Sequence, residues 1–336
     1  MRSRPLPTVL STIAAAAAAL VLAGCAGAPD REAAAEPADD PDFPVEVASC
    51  GHTATLEAAP ERAVTLNQGA TEVMLALGLE ERMAGTAYLD DPEPSARWAR
   101  AYASVPVIAT EYPTREELLA AEPDFVYASY VSAFDPKVAG SPEELDELGI
   151  GSYLSPFGCG DGAERPEPSF EAVWTELGAI GTAFGVADAA EAVVEEQQER
   201  LAQLGERAAG DGTTVFWYDS GEKTALAGVG GGGPHVLIDA VGATNIFADV
   251  DGGWKEVSWE RVIAADPDVI ALADASWSTA EDKIAYLEGD PVLSRLRAVQ
   301  EESYAVVPYS QSTPGVTLID GATSLGEQLV ELSAQG

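Results

Sequence analysis

The sequence predicts an α/β protein made of two related lobes with parallel sheets, and three observations carry that prediction. The stretch Thr114–Val126, TREELLAAEPDFV, returns as Ser258–Ile270, SWERVIAADPDVI, with Glu116/Glu260, Ala120/Ala264, Ala121/Ala265, Pro123/Pro267 and Asp124/Asp268 identical. Apolar strand-like runs alternate with helical segments on both sides of the chain, the pattern of a parallel sheet. Between the two halves, 187–208 reads as one helix with few breakers, spanning about 33 Å at the standard rise, enough to bridge two lobes.

Each copy of the repeat reads as a helix, a stop and a strand. A hydroxyl residue caps the helix, and Thr114 with Glu117 has capping-box spacing. Proline then ends the helix, and a buried strand follows as Phe125–Ala128 or Val269–Leu272. Two copies of one such unit imply two lobes of one architecture.

In chain order, Arg2 and Arg4 precede an apolar run, Val9 to Leu22, that closes on Leu22-Ala-Gly-Cys25. This ending resembles a bacterial lipobox, which makes 1–24 a lipoprotein signal peptide and Cys25 the lipidated residue. The alternatives are a plain secretory signal or an uncleaved anchor. Residues 25–44 are rich in Ala, Pro, Asp and Glu without periodicity and read as a disordered tether.

The N-terminal lobe is assigned to 45–186. Strands are expected at 63–66, 83–88, 105–109, 125–128 and 150–154. Helices are expected at 70–77, stopped by Gly78, at 142–148 and at 169–184. The linking helix takes 187–208, its Glu-Glu-Gln-Gln-Glu-Arg run being a solvated face. The C-terminal lobe, 209–336, opens with a strand at 213–218. A glycine-rich loop, Gly228–Gly233, leads into a helix at 234–241, and the second repeat copy follows. Asp290-Pro291 reads as the cap and first-turn proline of another helix. A strand at 304–307 and a final helix complete the lobe.

The net charge is −38, from 56 acidic and 18 basic residues, which argues against a nucleic-acid partner because phosphate binding needs clustered Lys and Arg. The three cysteines are Cys25, Cys50 and Cys159. With Cys25 lipidated, an even pair remains in an oxidising compartment, and a Cys50–Cys159 disulfide is the simple inference, two free buried thiols the alternative. The two histidines, His52 and His235, cannot build a multi-histidine metal site. HExxH, GxSxG and CxxC are absent, and Gly228–Gly233 lacks the Lys-Ser/Thr of a phosphate loop. No catalytic residue, metal site or cofactor is therefore assigned.

Aromatic and amide residues instead gather at strand ends and loops, where open α/β sheets bind ligands. The candidate ligand-binding set is Asn67, Gln68, Tyr88, Tyr112, Tyr130, Tyr218, Trp254, Trp277, Tyr309 and Gln311, with Phe134 and Phe157 in similar places. Core packing is the competing role for each. His235 reads as a first-turn helix residue, with axial ligation of a metal chelate as the alternative. Only four lysines are present, so long-range attraction opposes a strongly anionic chelate. A neutral or cationic chelate, such as a hydroxamate type, fits better.

The lipobox, Pro60-Glu-Arg-Ala-Val64, Ala70-Thr-Glu-Val-Met-Leu-Ala-Leu-Gly78 and both Ala-Ala-x-Pro-Asp units resemble the substrate-binding proteins of ABC importers for siderophores, haem and cobalamin. The resemblance runs from about Val45 to the C-terminus. It implies two Rossmann-like lobes joined by one rigid helix, with the ligand in the cleft between them. It also implies a lipid-anchored, extracytoplasmic, monomeric binding protein that hands an iron-siderophore or related metal chelate to a permease dimer with its ATPase. Cobalamin, haem or a cofactor precursor such as a deazaflavin are the alternative ligands. In that family one glutamate on each lobe docks on the permease, and the matching residues are Glu116 and Glu260. The Asn67-Gln-Gly turn and the glycine-rich loop depart from the family pattern. An extracytoplasmic enzyme or a surface sensor remains the competing class of function.

Overall fold

The computed structural model describes residues 42–91, 95–160 and 162–334. Two strands open the described chain, β1 (Val45–Ser49) and β2 (His52–Leu56), and pair as an antiparallel hairpin. The first large sheet comprises β3 (Ala63–Leu66), β4 (Met83–Ala87), β5 (Val107–Ala109), β6 (Phe125–Ala128) and β7 (Gly151–Leu154). Its order is β5-β4-β3-β6-β7 and every pairing is parallel. This is the sheet that the short apolar runs of the first half predict, since strands covered on both faces read as continuous hydrophobic segments.

The second sheet holds β8 (Thr214–Ser220), β9 (Ala225–Gly228), β10 (Thr244–Asn245), β11 (Trp254–Val257), β12 (Val269–Asp274) and β13 (Tyr304–Pro308). Its parallel core is β8-β12-β13, with the short β10 also parallel to β8. One edge of this sheet is antiparallel, a feature beyond the parallel core that the sequence predicts. There β9 folds back antiparallel on β8 through a turn at Gly221, whose φ is +85°, and β11 pairs antiparallel with β9. A hairpin of this kind needs no crossover helix, so the helix–strand alternation gave no sign of it.

Alternation along the strands sorts side chains between two cores per sheet. In β6, Phe125 and Tyr127 enter the large core shared with the linking helix, while Val126 and Ala128 pack outward against Leu118 and Leu145. In β8, Val215 and Trp217 face the shared core, while Phe216 and Tyr218 face an outer core with Val262 and Leu287. The shared core also takes Leu177, Leu204, Leu237 and Leu325, so both lobes pack on common apolar ground.

The linking helix runs Ala187–Arg207 and ends on Ala208 in the left-handed conformation. Gln197, 2% exposed, accepts from the Trp174 indole N–H at 3.0 Å and donates to the Val316 carbonyl at 3.0 Å. Trp174 belongs to the Phe170–Ala183 helix, and Val316 precedes the Leu318–Ser333 helix. Arg200 adds an ion pair to Asp320 at 2.7 Å.

The repeat has one structural job in both lobes. Thr114 and Ser258 cap the Arg115–Ala120 and Trp259–Ala265 helices through the backbone N–H groups of Glu117 and Arg261. The Pro-Asp aspartates then tie each following strand to its neighbour. Asp124 accepts from the backbone N–H groups of Glu61 and Arg62, at 2.8 and 2.9 Å, just before β3. Asp268 accepts from the backbone N–H and hydroxyl of Thr214, at 2.7 and 2.6 Å, at the start of β8. Asp290 does cap the next segment, but that segment opens with a single 3-10 turn, Leu293–Arg295, and the preceding α-helix is Ala280–Gly289.

Cys50 and Cys159 are bonded, with Cα atoms 5.3 Å apart and a sequence separation of 109. The bond joins the β1–β2 turn to the loop after β7. A loop this long loses much chain entropy when closed, so Cys50→Ala/Cys159→Ala should lower unfolding stability by about 2–5 kcal/mol. Urea unfolding of the oxidised protein and the double variant measures this, and equal midpoints and slopes would reject a stabilising bond.

Candidate functional site

A cleft of about 600 Å³ lies between the two lobes, within the usual range for small-molecule sites. Its first wall comes from residues just beyond the carboxyl ends of strands: Asp90 after β4, Ser129 and Tyr130 after β6, Ser155 and Phe157 after β7. The facing wall carries Tyr309 and Ser310 after β13 and Trp254 at the start of β11. Gly231 and Gly232 meet Gly252 and Gly253 in two loops that touch backbone to backbone, with the Gly231 N–H donating to the Gly252 carbonyl at 2.8 Å. A Cβ on Gly232 would stand 2.5 Å from the Gly253 carbonyl oxygen, so this part of the wall has to be bare main chain.

Three acidic side chains of the first lobe are built into or beside the cleft. Glu176 is 2% exposed and accepts from the Tyr127 hydroxyl at 2.7 Å. Burial pushes its carboxyl up to about 7, against the hydrogen bonds from Tyr127 and Ser155. Glu72, 1% exposed, accepts from Gln68 Nε2 at 3.0 Å and from the Tyr102 hydroxyl at 3.3 Å, and burial pushes it to about 7 as well. Asp90 is pushed up to about 6 by burial and by the neighbouring Asp91 carboxylate.

Of the ten residues proposed from sequence, Tyr130, Trp254 and Tyr309 line the cleft. Tyr112 and Tyr88 form an edge-on pair 4.7 Å apart outside its lining, and the Tyr112 hydroxyl donates to Asn67 Oδ1 at 3.0 Å. Trp277 is 58% exposed and packs edge-on against Tyr309 from outside. Gln311 lies in the turn after Tyr309 without reaching the lining.

Three of the ten are corrected to supporting roles. Tyr218 is buried in the outer core, where strand alternation sends it, and its hydroxyl donates to the Gly221 carbonyl. Asn67, at φ +76°, and Gln68 are both 1% exposed. Gln68 accepts from the Asp91 N–H at 2.8 Å and donates to Glu72, so it holds the loop after β4 to the Gln68–Ala76 helix. His235 sits in the first turn of the Gly233–Ala240 helix and outside the cleft lining. Among the described residues no group of three or more His, Cys, Asp or Glu could hold a metal ion.

The residues that sequence reading missed are Gly69, Tyr127, Ser129, Ser155, Asp90 and Glu176. Glycines and serines carry no pattern of their own. Glu176, however, falls three residues after Val173 and four before Ile180, on the buried face of its helix, and that spacing was a usable signal.

Residues 64–308 match the model of the periplasmic binding protein family. The chain is 24% identical to the uncharacterized ABC transporter substrate-binding lipoprotein YvrC of Bacillus subtilis, over 93% of this chain and 94% of that protein. It is 26% identical to a cobalamin-binding protein of Halobacterium salinarum, covering 82% of this chain and 72% of that one. Among solved structures, a periplasmic binding protein from Veillonella parvula superposes with a TM-score of 0.73 at 27% identity, covering 84% of this chain and 96% of that chain.

The buried acids set a pH dependence with a definite sign. A carboxyl at about 7 in the folded state, against an ordinary value near 4.5, binds more protons folded than unfolded between those limits. Stability should therefore fall as pH rises from 5 to 8, by up to roughly 3 kcal/mol for a fully shifted group. Glu176→Gln keeps an acceptor for Tyr127 and should flatten a substantial part of that slope. Urea unfolding at pH 5 and pH 8 tests it, and an unchanged slope in the variant would remove Glu176 from the account.

Proposed function

The chain belongs to the periplasmic binding protein family, a family of binding proteins and not of enzymes, and from that membership we propose that it is the capture subunit of an ABC importer for a metal chelate. In this reading it holds a ferric siderophore between its lobes and hands it to a permease dimer driven by an ATPase. The observation that carries the reading is the interlobe cleft itself. It lies beyond the carboxyl ends of β4, β6, β7 and β13, has aromatic walls in Tyr130, Phe157, Trp254 and Tyr309, and has a bare glycine face. Aromatic faces and exposed main chain suit a rigid, mostly neutral chelate shell better than a small charged solute.

A second ligand reading, cobalamin, is favoured by the cobalamin-binding relative of Halobacterium salinarum. Mass and absorption spectra of the protein purified from its own host without denaturation separate the two. A ferric hydroxamate carries a visible charge-transfer band and a corrinoid carries its own distinct bands. A bound compound with no metal would reject both.

Attachment to the membrane through Cys25 is part of the proposal. The cysteine and the signal segment before it lie outside the described residues, and the lipoprotein relative of Bacillus subtilis supports the reading. Membership of this family places the protein's work outside the cytoplasm.

Permease docking is assigned to Glu116 and Glu260. Both are exposed, and each is the second residue of its helix after an equivalent cap, Thr114 or Ser258. Exposed charges of this kind set encounter and register more than fold stability. Glu116→Arg with Glu260→Arg should abolish uptake while leaving ligand affinity and melting temperature within experimental error. Normal transport by the double variant would end the docking role, and lost ligand binding would move these residues into the pocket or the fold.

A further inference from the structure

A second cavity, of about 290 Å³, lies wholly within the first lobe. The β1–β2 turn, the end of β7 and the segment after β6 enclose it. It sits by the carboxyl ends of β6 and β7, the same ends that bring Tyr130 and Phe157 to the cleft. No residue of the second lobe lines it, so it is separate from the interlobe site.

Val131, Phe134, Pro142 and Leu154 give this pocket apolar walls, and Val131 is 48% exposed. Ser152 also lines it. Strand alternation in β7 turns Ser152 to the same side as Leu154. Ser152 is 2% exposed, and its Oγ has no hydrogen-bond partner. A buried hydroxyl on an apolar wall costs free energy until a polar group meets it. The occupant that fits has an apolar body and a polar tip, as a tyrosine side chain does.

The pocket adjoins the docking acid of this lobe. Glu116 follows Arg115, whose Nη1 pairs with Glu144 Oε2 at 2.9 Å, and Glu144 follows Glu143 of the pocket lining. That ion pair holds the Arg115–Ala120 and Pro142–Glu147 helices side by side. Glu116, Glu143 and Asp146 are exposed around it. Against them stand Arg115, spent on Glu144, and Lys137, whose carbonyl takes the Arg115 N–H at 3.0 Å. The face is acidic on balance and suits a basic partner.

We propose that this pocket receives a tyrosine-like side chain, flanked by lysine or arginine, from an extracytoplasmic loop of the permease. The proposal rests on the docking role assigned above to Glu116 and adds to it a contact walled by the β1–β2 turn of the first lobe. Exposed acids set approach and register, whereas an aromatic anchor seated in a pocket carries affinity.

The test uses the full-length protein in cells of its own host, with p-benzoylphenylalanine in place of Lys137 as a photo-crosslinker. Mass spectrometry of the crosslinked permease peptide should find an aromatic residue beside Lys or Arg. Val131→Trp, which fills the pocket mouth, should lower the crosslinking yield about tenfold with ligand affinity and melting temperature unchanged. Ser152→Ala removes only the hydroxyl, keeps the fold, and should lower the yield about threefold. Replacing the permease aromatic by alanine should cause the same loss as Val131→Trp, and no further loss when combined with it. Full yield in both Val131→Trp and Ser152→Ala would overturn the pocket alone, as long as Glu116→Arg with Glu260→Arg abolishes crosslinking. Losses that multiply in the combined variant would overturn the aromatic occupant. No permease crosslink from the Lys137 position, or full yield in the double Glu→Arg variant, would remove the docking reading and this proposal with it.

Discussion

Gln197 is the side chain on which the two-lobe arrangement turns. It sits near the middle of the linking helix, 2% exposed, and spends its carbonyl on Trp174 of the first lobe and its amide on Val316 at the entry to the last helix. A buried amide that loses either partner leaves an unsatisfied polar group, so departure of either lobe from the helix carries a cost beyond the lost packing. Arg200–Asp320 reinforces the second contact, and Leu204 packs into the core that both lobes share. The helix is thus fixed to each lobe by apolar and polar contacts together. A cleft whose walls come from different sheets keeps its shape only if that connection is stiff.

The internal repeat explains how two lobes of different sheets present similar edges. In each, the Pro-Asp step places one aspartate where a new strand begins and ties it to the first backbone groups of the neighbouring parallel strand. Parallel pairing has no hairpin to set its register, so a side-chain link at the strand entrance does that work. The capped helix just before it is oriented by the same junction. Glu116 and Glu260 therefore take equivalent places by construction, although the second lobe has gained an antiparallel edge and the first has not.

Much of the fold was legible because it rests on runs of residues. Continuous apolar strands and capped helices carry their own signatures, and the first sheet follows them. The hairpin β1–β2 and the edge strands β9 and β11 were not legible. They are four or five residues long, VEVAS, HTATL and WKEV mix polar and apolar residues, ALAG is a short run of small and apolar ones, and pairing with neighbours holds them. The ligand set was legible in part. Strand ends drew attention to Tyr130, Trp254 and Tyr309, but a one-residue difference in strand phase puts Trp217 on the inner core and Tyr218 on the outer one. Asn67 and Gln68 look like ligand contacts because they are polar at a strand end. They are buried because the loop after β4 needs polar anchoring, which Gln68 supplies to Asp91 and Glu72.

The acidity of the chain acts on two scales. The overall charge of −38 favours approach of cations and opposes anions, but salt limits that field to about 8 Å at physiological ionic strength. It cannot by itself choose between a neutral and a singly charged chelate once either is near. Choice at the cleft needs charges kept close and partly dry. Glu72 and Glu176 are too deeply buried and too readily protonated near neutral pH to serve, and their contribution is to hold Gln68 and Tyr127 in place. Asp90 differs from both. It is only partly buried and lines the cleft, and burial with the neighbouring Asp91 carboxylate raises it to about 6. The buried acids thus hold the wall in place, and Asp90 is the partly buried acid that lines it.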